Sequence, residues 1–169
     1  MSLNNNKYGW MALALLLGSP LCLAADLLRE ARYADITVGN SVATISQIGS
    51  YNRTRVDQGG ATQRIAQTQV GNRNQASINQ SGANNSITAQ QNGSANGVQV
   101  SQSGNNNQTG VAQHGNDNSA NVVQNGTYNQ AFVGQYGQSN QATVNQAGFG
   151  GTVSVTQYGD HMSASATQR

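Results

Sequence analysis

Glutamine recurs every eleven residues in the second part of this sequence, at Gln47, Gln58, Gln69, Gln80, Gln91, Gln102, Gln113, Gln124, Gln135, Gln146, Gln157 and Gln168, without an exception. Two residues after each but the last stands a glycine: Gly49, Gly60, Gly71, Gly82, Gly93, Gly104, Gly115, Gly126, Gly137, Gly148 and Gly159. Five after it, most units carry an asparagine: Asn52, Asn74, Asn85, Asn96, Asn107, Asn118, Asn129 and Asn140. The unit is Gln-x-Gly-x-x-Asn-x-small-x-apolar-x-Gln. So short a unit cannot bury its own apolar face, and units in strict register must stack.

Each position has a mechanical reason. Seven residues from Asn to Gln make a strand of ~23 Å, and the four between strands reverse the chain, the glycine supplying positive φ. Strand, turn, strand, turn is one coil of 22 residues. Strands starting at Ser41, Asn52, Gln63, Asn74, Asn85, Asn96, Asn107, Asn118, Asn129, Asn140, Gly151 and Met162 pair off into about six layers spaced ~4.8 Å apart. The spacing predicts an all-β, two-sheet parallel β-solenoid of cross-β type over 41–169.

Alternation along each strand assigns the interior. One inward row is Ala43, Thr54, Ile65, Ala76, Ile87, Val98, Thr109, Ala120, Ala131, Ala142, Val153 and Ala164. The other is Ile45, Val56, Gln67, Ile78, Ala89, Val100, Val111, Val122, Val133, Val144, Val155 and Ala166. The Asn and Gln residues at the strand ends are expected to stack on their equivalents, each amide donating to one neighbour and accepting from the other.

Charged residues are 8% and aromatics 5% of the chain, with a net charge of +2, which does not suggest a nucleic-acid surface. Low charge with low complexity is a profile of β-assembly. Residues 1–24 read as a secretory signal peptide: Lys7, an apolar run from Trp10 to Leu17, a break at Gly18-Ser19-Pro20, and small Cys22 and Ala24 before the cleavage point. Cleavage there removes the single Cys, Trp and Pro, so no disulfide forms and no proline interrupts a strand. Residues 25–40 form a separate segment with at most a turn of helix around 27–33, and neither end of the stack is expected to be well capped.

The unit resembles the curlin repeat of bacterial curli fibres, Ser-x5-Gln-x-Gly-x-x-Asn-x-Ala-x3-Gln, from about Ser41 to Arg169. The resemblance implies secretion through an outer-membrane pore, with accessory factors, and extracellular assembly into functional amyloid fibres of the biofilm matrix, at the bacterial cell surface. It implies homo-oligomers and a curlin major subunit as partners, and 25–39 as the export address. The pre-repeat segment, the Gln58-Gly59-Gly60 junction with the degenerate strand after it, and the ending at Met162 to Arg169 are similar to the minor, nucleating subunit. The Phe149 turn is similar to the major one.

Arg53, Arg55, Arg64 and Arg73 cluster in the first two layers, as solvated charges or as a docking patch for a secretion partner, an anionic surface or the partner subunit. Met162 and Arg169 mark a candidate surface-tethering end. Asp57, Asp117 and Asp160 are isolated in sequence, and His114 and His161 lack a nearby acid or Cys cluster, so no metal or other cofactor is expected. No nucleophile with a base, and no carboxylate pair, can be assembled, which argues against an enzyme. A soluble ice-binding or surface-binding solenoid is the alternative of another class, but no outward threonine array runs the length of the chain.

Overall fold

A computed structural model describes residues 13–14, 31–38 and 40–169. The strands are β1 (Leu13–Ala14), β2 (Ala31–Val38), β3 (Ser41–Ile48), β4 (Arg53–Ala61), β5 (Arg64–Asn72), β6 (Gln75–Ala83), β7 (Ser86–Ser94), β8 (Gly97–Asn105), β9 (Gln108–Asn116), β10 (Ser119–Thr127), β11 (Gln130–Gln138), β12 (Gln141–Phe149), β13 (Thr152–Tyr158) and β14 (Ser163–Gln168). Even-numbered strands from β4 to β14 stack in one sheet and odd-numbered strands from β3 to β13 in the other. Every pair within these stacks is parallel, and residue i lies over residue i+22, as in Val100, Val122 and Val144. The protein is an all-β solenoid of six coils, as the glutamine period predicts.

The core lies between the sheets and is made of small and β-branched side chains. Ile65, Ile78, Ile87, Val100, Val122 and Val144 are each at most 1% exposed. Val153 and Val155 of the last coil are only partly buried and pack against that cluster. Seven-residue strands are expected, yet the regular ones span nine, from one residue after the Asn to one beyond the Gly. Glycine at positive φ still pairs in register with the glycine of the next coil, for example Gly82 with Gly104, so the ladder runs on into the bend.

The first layer differs from expectation. Residues 31–33 lie in β2 and are extended, while 27–30 fall outside the described residues, as does most of the proposed signal peptide. All eight residues of β2 pair antiparallel with β3, from Ala31 opposite Ile48 to Val38 opposite Ser41. One sheet is therefore capped at its first strand, because the unpaired backbone row of β3 recruits the nearest segment able to extend. The adjacent edge of β4 is met by the two residues of β1.

Candidate functional site

The glutamines form two unbroken ladders. In one sheet Gln47 Nε2 donates to Gln69 Oε1 at 2.6 Å, and the bond recurs at Gln69–Gln91 (2.8 Å), Gln91–Gln113 (3.1 Å), Gln113–Gln135 (2.9 Å) and Gln135–Gln157 (2.9 Å). In the other the rungs are Gln58–Gln80 (3.3 Å), Gln80–Gln102 (2.9 Å), Gln102–Gln124 (2.7 Å), Gln124–Gln146 (2.8 Å) and Gln146–Gln168 (3.1 Å). In every rung the earlier residue donates and the later one accepts. The remaining N–H often crosses to the facing sheet, as from Gln113 to the Gly97 carbonyl (2.9 Å) and from Gln135 to the Ser119 carbonyl (3.0 Å). A buried amide paired in this way adds about 1 kcal/mol net per bond, and one left unpaired loses about 1–3 kcal/mol.

Asparagine, one methylene shorter, bonds mainly to backbone. Asn96 Oδ1 accepts the N–H of Asn118 (3.1 Å), and Asn96 Nδ2 donates to the Gly115 carbonyl (2.8 Å). The same two-bond clamp is made by Asn52, Asn74, Asn85, Asn107, Asn118, Asn129 and Asn140, each onto the following coil. Amide-to-amide bonds between asparagines join Asn52, Asn74, Asn96 and Asn118. The expected ladder is thus amide-to-amide throughout for Gln, and chiefly amide-to-backbone for Asn.

The bends need two left-handed residues. The predicted glycines have φ between 98° and 130°, and the residue two places later has φ near 57° although it is seldom glycine: Tyr51, Thr62, Arg73, Asn84, Ala95, Asn106, Asp117, Tyr128, Ser139 and His161. Close approach fixes the glycine independently of φ. A Cβ on Gly104 would stand 2.0 Å from the Gly126 carbonyl oxygen.

Three coils depart from this regularity, the first of them at Ser41, which holds the asparagine position and accepts the Gln63 N–H at Oγ (3.1 Å). In β5 and the bend before it, Gln63 replaces Asn and Gln67 replaces an apolar residue; both are 1% exposed, and Oε1 of each has no hydrogen-bond partner. In the coil 151–168, Gly151 and Met162 occupy the two clamp positions, and Met162 is 40% exposed.

The four arginines do not form one patch. Arg53 and Arg55 are exposed on β4, Arg64 on β5 of the opposite sheet, and Arg73 in a bend. Asp57, isolated in sequence order, pairs with Arg55 at 3.0 Å. Arg53 and Arg55 head a shallow groove that continues past Gln75, Ser77, Gln99 and Asn121. Arg169 is exposed at the far end. The rings of His114, Tyr136 and Tyr158 stack along the solenoid at 5.2 and 4.9 Å, and Tyr128 meets Phe149 edge-on at 5.5 Å. The sequence signal for the first stack was available: these residues each follow a ladder Gln at 22-residue spacing. Among the described residues no group of three or more His, Cys, Asp and Glu side chains could hold a metal ion.

Fold and ladders together define a two-sheet parallel β-solenoid held by amides. The curlin-associated repeat matches residues 93–126, 115–148 and 126–159, windows displaced from one another by multiples of the same eleven-residue period. Over 93–159 the chain is thus similar to the curlin-associated repeat. No curated protein matches the chain.

Proposed function

We propose that the chain is a minor curli subunit that nucleates polymerisation of a curlin major subunit at the cell surface. The observation that carries this reading is the contrast between regular interior coils, able to template a chain with the same 22-residue period, and irregular coils at both ends. A folded coil removes the slow step of forming a first layer, in which loop closure precedes any reward from contacts. Residues 1–24 act as the secretory leader and 25–40 as the segment read by an outer-membrane export pore, leaving 41–169 to fold outside the cell. Arg53 and Arg55 suit contact with an anionic surface or accessory factor, and the exposed Met162 and Arg169 suit tethering. The unbroken glutamine rungs also favour a second reading, a fibre-forming major subunit.

Two measurements separate these readings. Trace amounts of the exported chain should abolish the lag of a purified sister repeat chain; a lag left unchanged contradicts nucleation. Deleting 159–169 should leave fibre formation in vitro largely intact while releasing the protein from cells into the medium. Truncated protein that stays fully attached, or cannot assemble, points to the major-subunit reading.

A further inference from the structure

The hydrogen bonds between coils are directional, and the two ends of the stack are consequently unequal. Each clamp is supplied by the earlier coil and received by the later one, through an N–H 22 residues on and a glycine carbonyl 19 residues on. The coil 151–168 receives such clamps at Gly151 N–H (3.0 Å, from Asn129) and Met162 N–H (3.0 Å, from Asn140). It has none to give, because neither glycine nor methionine carries an amide. Its glutamines can still offer forward rungs, so a coil laid on it would gain the glutamine ladder and lack the bonds that close both bends.

The first coil is the converse. By the same register, a preceding coil with asparagine at both bend positions would place one Oδ1 on the Ser41 N–H, and would bracket the other bend with Oδ1 on the Asn52 N–H and Nδ2 on the Gly49 carbonyl. What stands in the way is β2, paired along the whole of β3 in the antiparallel sense, with Arg32 opposite Gln47 where a parallel coil would put glutamine, and, on the edge of β4, the two residues of β1. Antiparallel pairing satisfies the β3 backbone but cannot continue the in-register amide rows.

We propose that this chain takes on partners at its first coil rather than at the coil 151–168, that β2 is the strand displaced when it does so, and that the partner is a curlin-repeat chain whose final coil carries asparagine at both bend positions. The inference deepens the nucleation reading by naming the templating face and the feature that selects its partner. A second copy of this chain lacks that feature, so self-addition is slow.

The deciding variant is Met162→Asn, which restores one clamp at an exposed position. Its self-assembly lag, followed by sedimentation without any sister chain, should shorten about tenfold, the effect of roughly one additional hydrogen-bond pair on a rate. Gly151→Asn with Met162→Asn should shorten it further, although the Gln168 amide, which would lie 2.5 Å from a Cβ on Gly151, must first move aside. For the face itself, wild-type seeds gold-labelled at the C-terminus are extended with the double variant as probe. Growth should appear at the end away from the label, and faster when 31–38 is deleted from the seed. An unchanged lag for Met162→Asn with β content intact by circular dichroism overturns the inference, as does growth at the labelled end. Loss of sister-chain seeding would instead remove the nucleation reading and leave this self-assembly result standing.

Discussion

Val122 in β10 and Val155 in β13 occupy equivalent inward positions, have the same side chain, and differ in environment. Val122 is 0% exposed, with Val100 below it and Val144 above; Val155 is only partly buried, with Val133 on one side and, among the described residues, no strand on the other. In a solenoid a residue's burial is conferred by the coils on either side and only secondarily by its own hydrophobicity. The same side chain therefore contributes more in the middle than at the end.

The sharpest test of that difference is a buried charge. Val122→Asp should destabilise by more than about 4 kcal/mol and block assembly, whereas Val155→Asp should cost about half as much and the outward Asn121→Asp under about 1 kcal/mol. Assembly kinetics with denaturant melts check this. Equal effects of Val122→Asp and Asn121→Asp would mean that the assignment of faces is wrong.

Bend glycines extend the comparison to the backbone. Gly104→Ala should cost about 3–5 kcal/mol, since the methyl would meet the Gly126 carbonyl. Gly148→Ala, where the nearest atom outside its own chain neighbours is 3.8 Å away, should show only the strain of φ +98°, about 1–2 kcal/mol. Denaturant midpoints of the two single variants give the ratio. Similar values would show that φ, and not the coil stacked above, dictates glycine.

One substitution should be a gain. Gln67→Leu removes a buried, unpartnered Oε1 and sacrifices one long bond of 3.4 Å to Gln91, whose Oε1 still accepts from Gln69 at 2.8 Å. Stability should rise by about 1–2 kcal/mol, read as a higher denaturant midpoint with unchanged m. A loss would show that a water or another polar group satisfies that oxygen, and that the second coil is as sound as the interior.

The solenoid was legible because one residue type, glutamine, returned at one spacing, and the inward rows followed from alternation. The bend conformation was less legible. The left-handed position holds Tyr51, Arg73, Ala95 and Asp117 with no shared chemistry, because backbone closure imposes it and the side chains merely tolerate it. The asparagine clamps were visible as positions but not as partners, since only three-dimensional reach decides whether an amide meets another amide or a carbonyl. The strand β2 escaped because it belongs to no repeat; its conformation is set by the exposed edge of β3, a tertiary demand with no local signature. The arginines were close in sequence but were separated by the alternation of strands between sheets, which places β4 and β5 on opposite sides.

Registration of residue i over residue i+22 has a consequence for how such a chain can change length. Duplicating or losing 22 residues preserves the register and keeps every downstream strand in its own sheet, so the chain can lengthen or shorten by whole coils without redesign. An odd multiple of eleven also keeps the glutamine register, yet transfers everything downstream to the opposite sheet, placing Tyr136 on the sheet that faces away from His114 if inserted between them. Inheritance in this molecule is quantised: length is discrete, and parity decides which side of the ribbon a surface feature appears on.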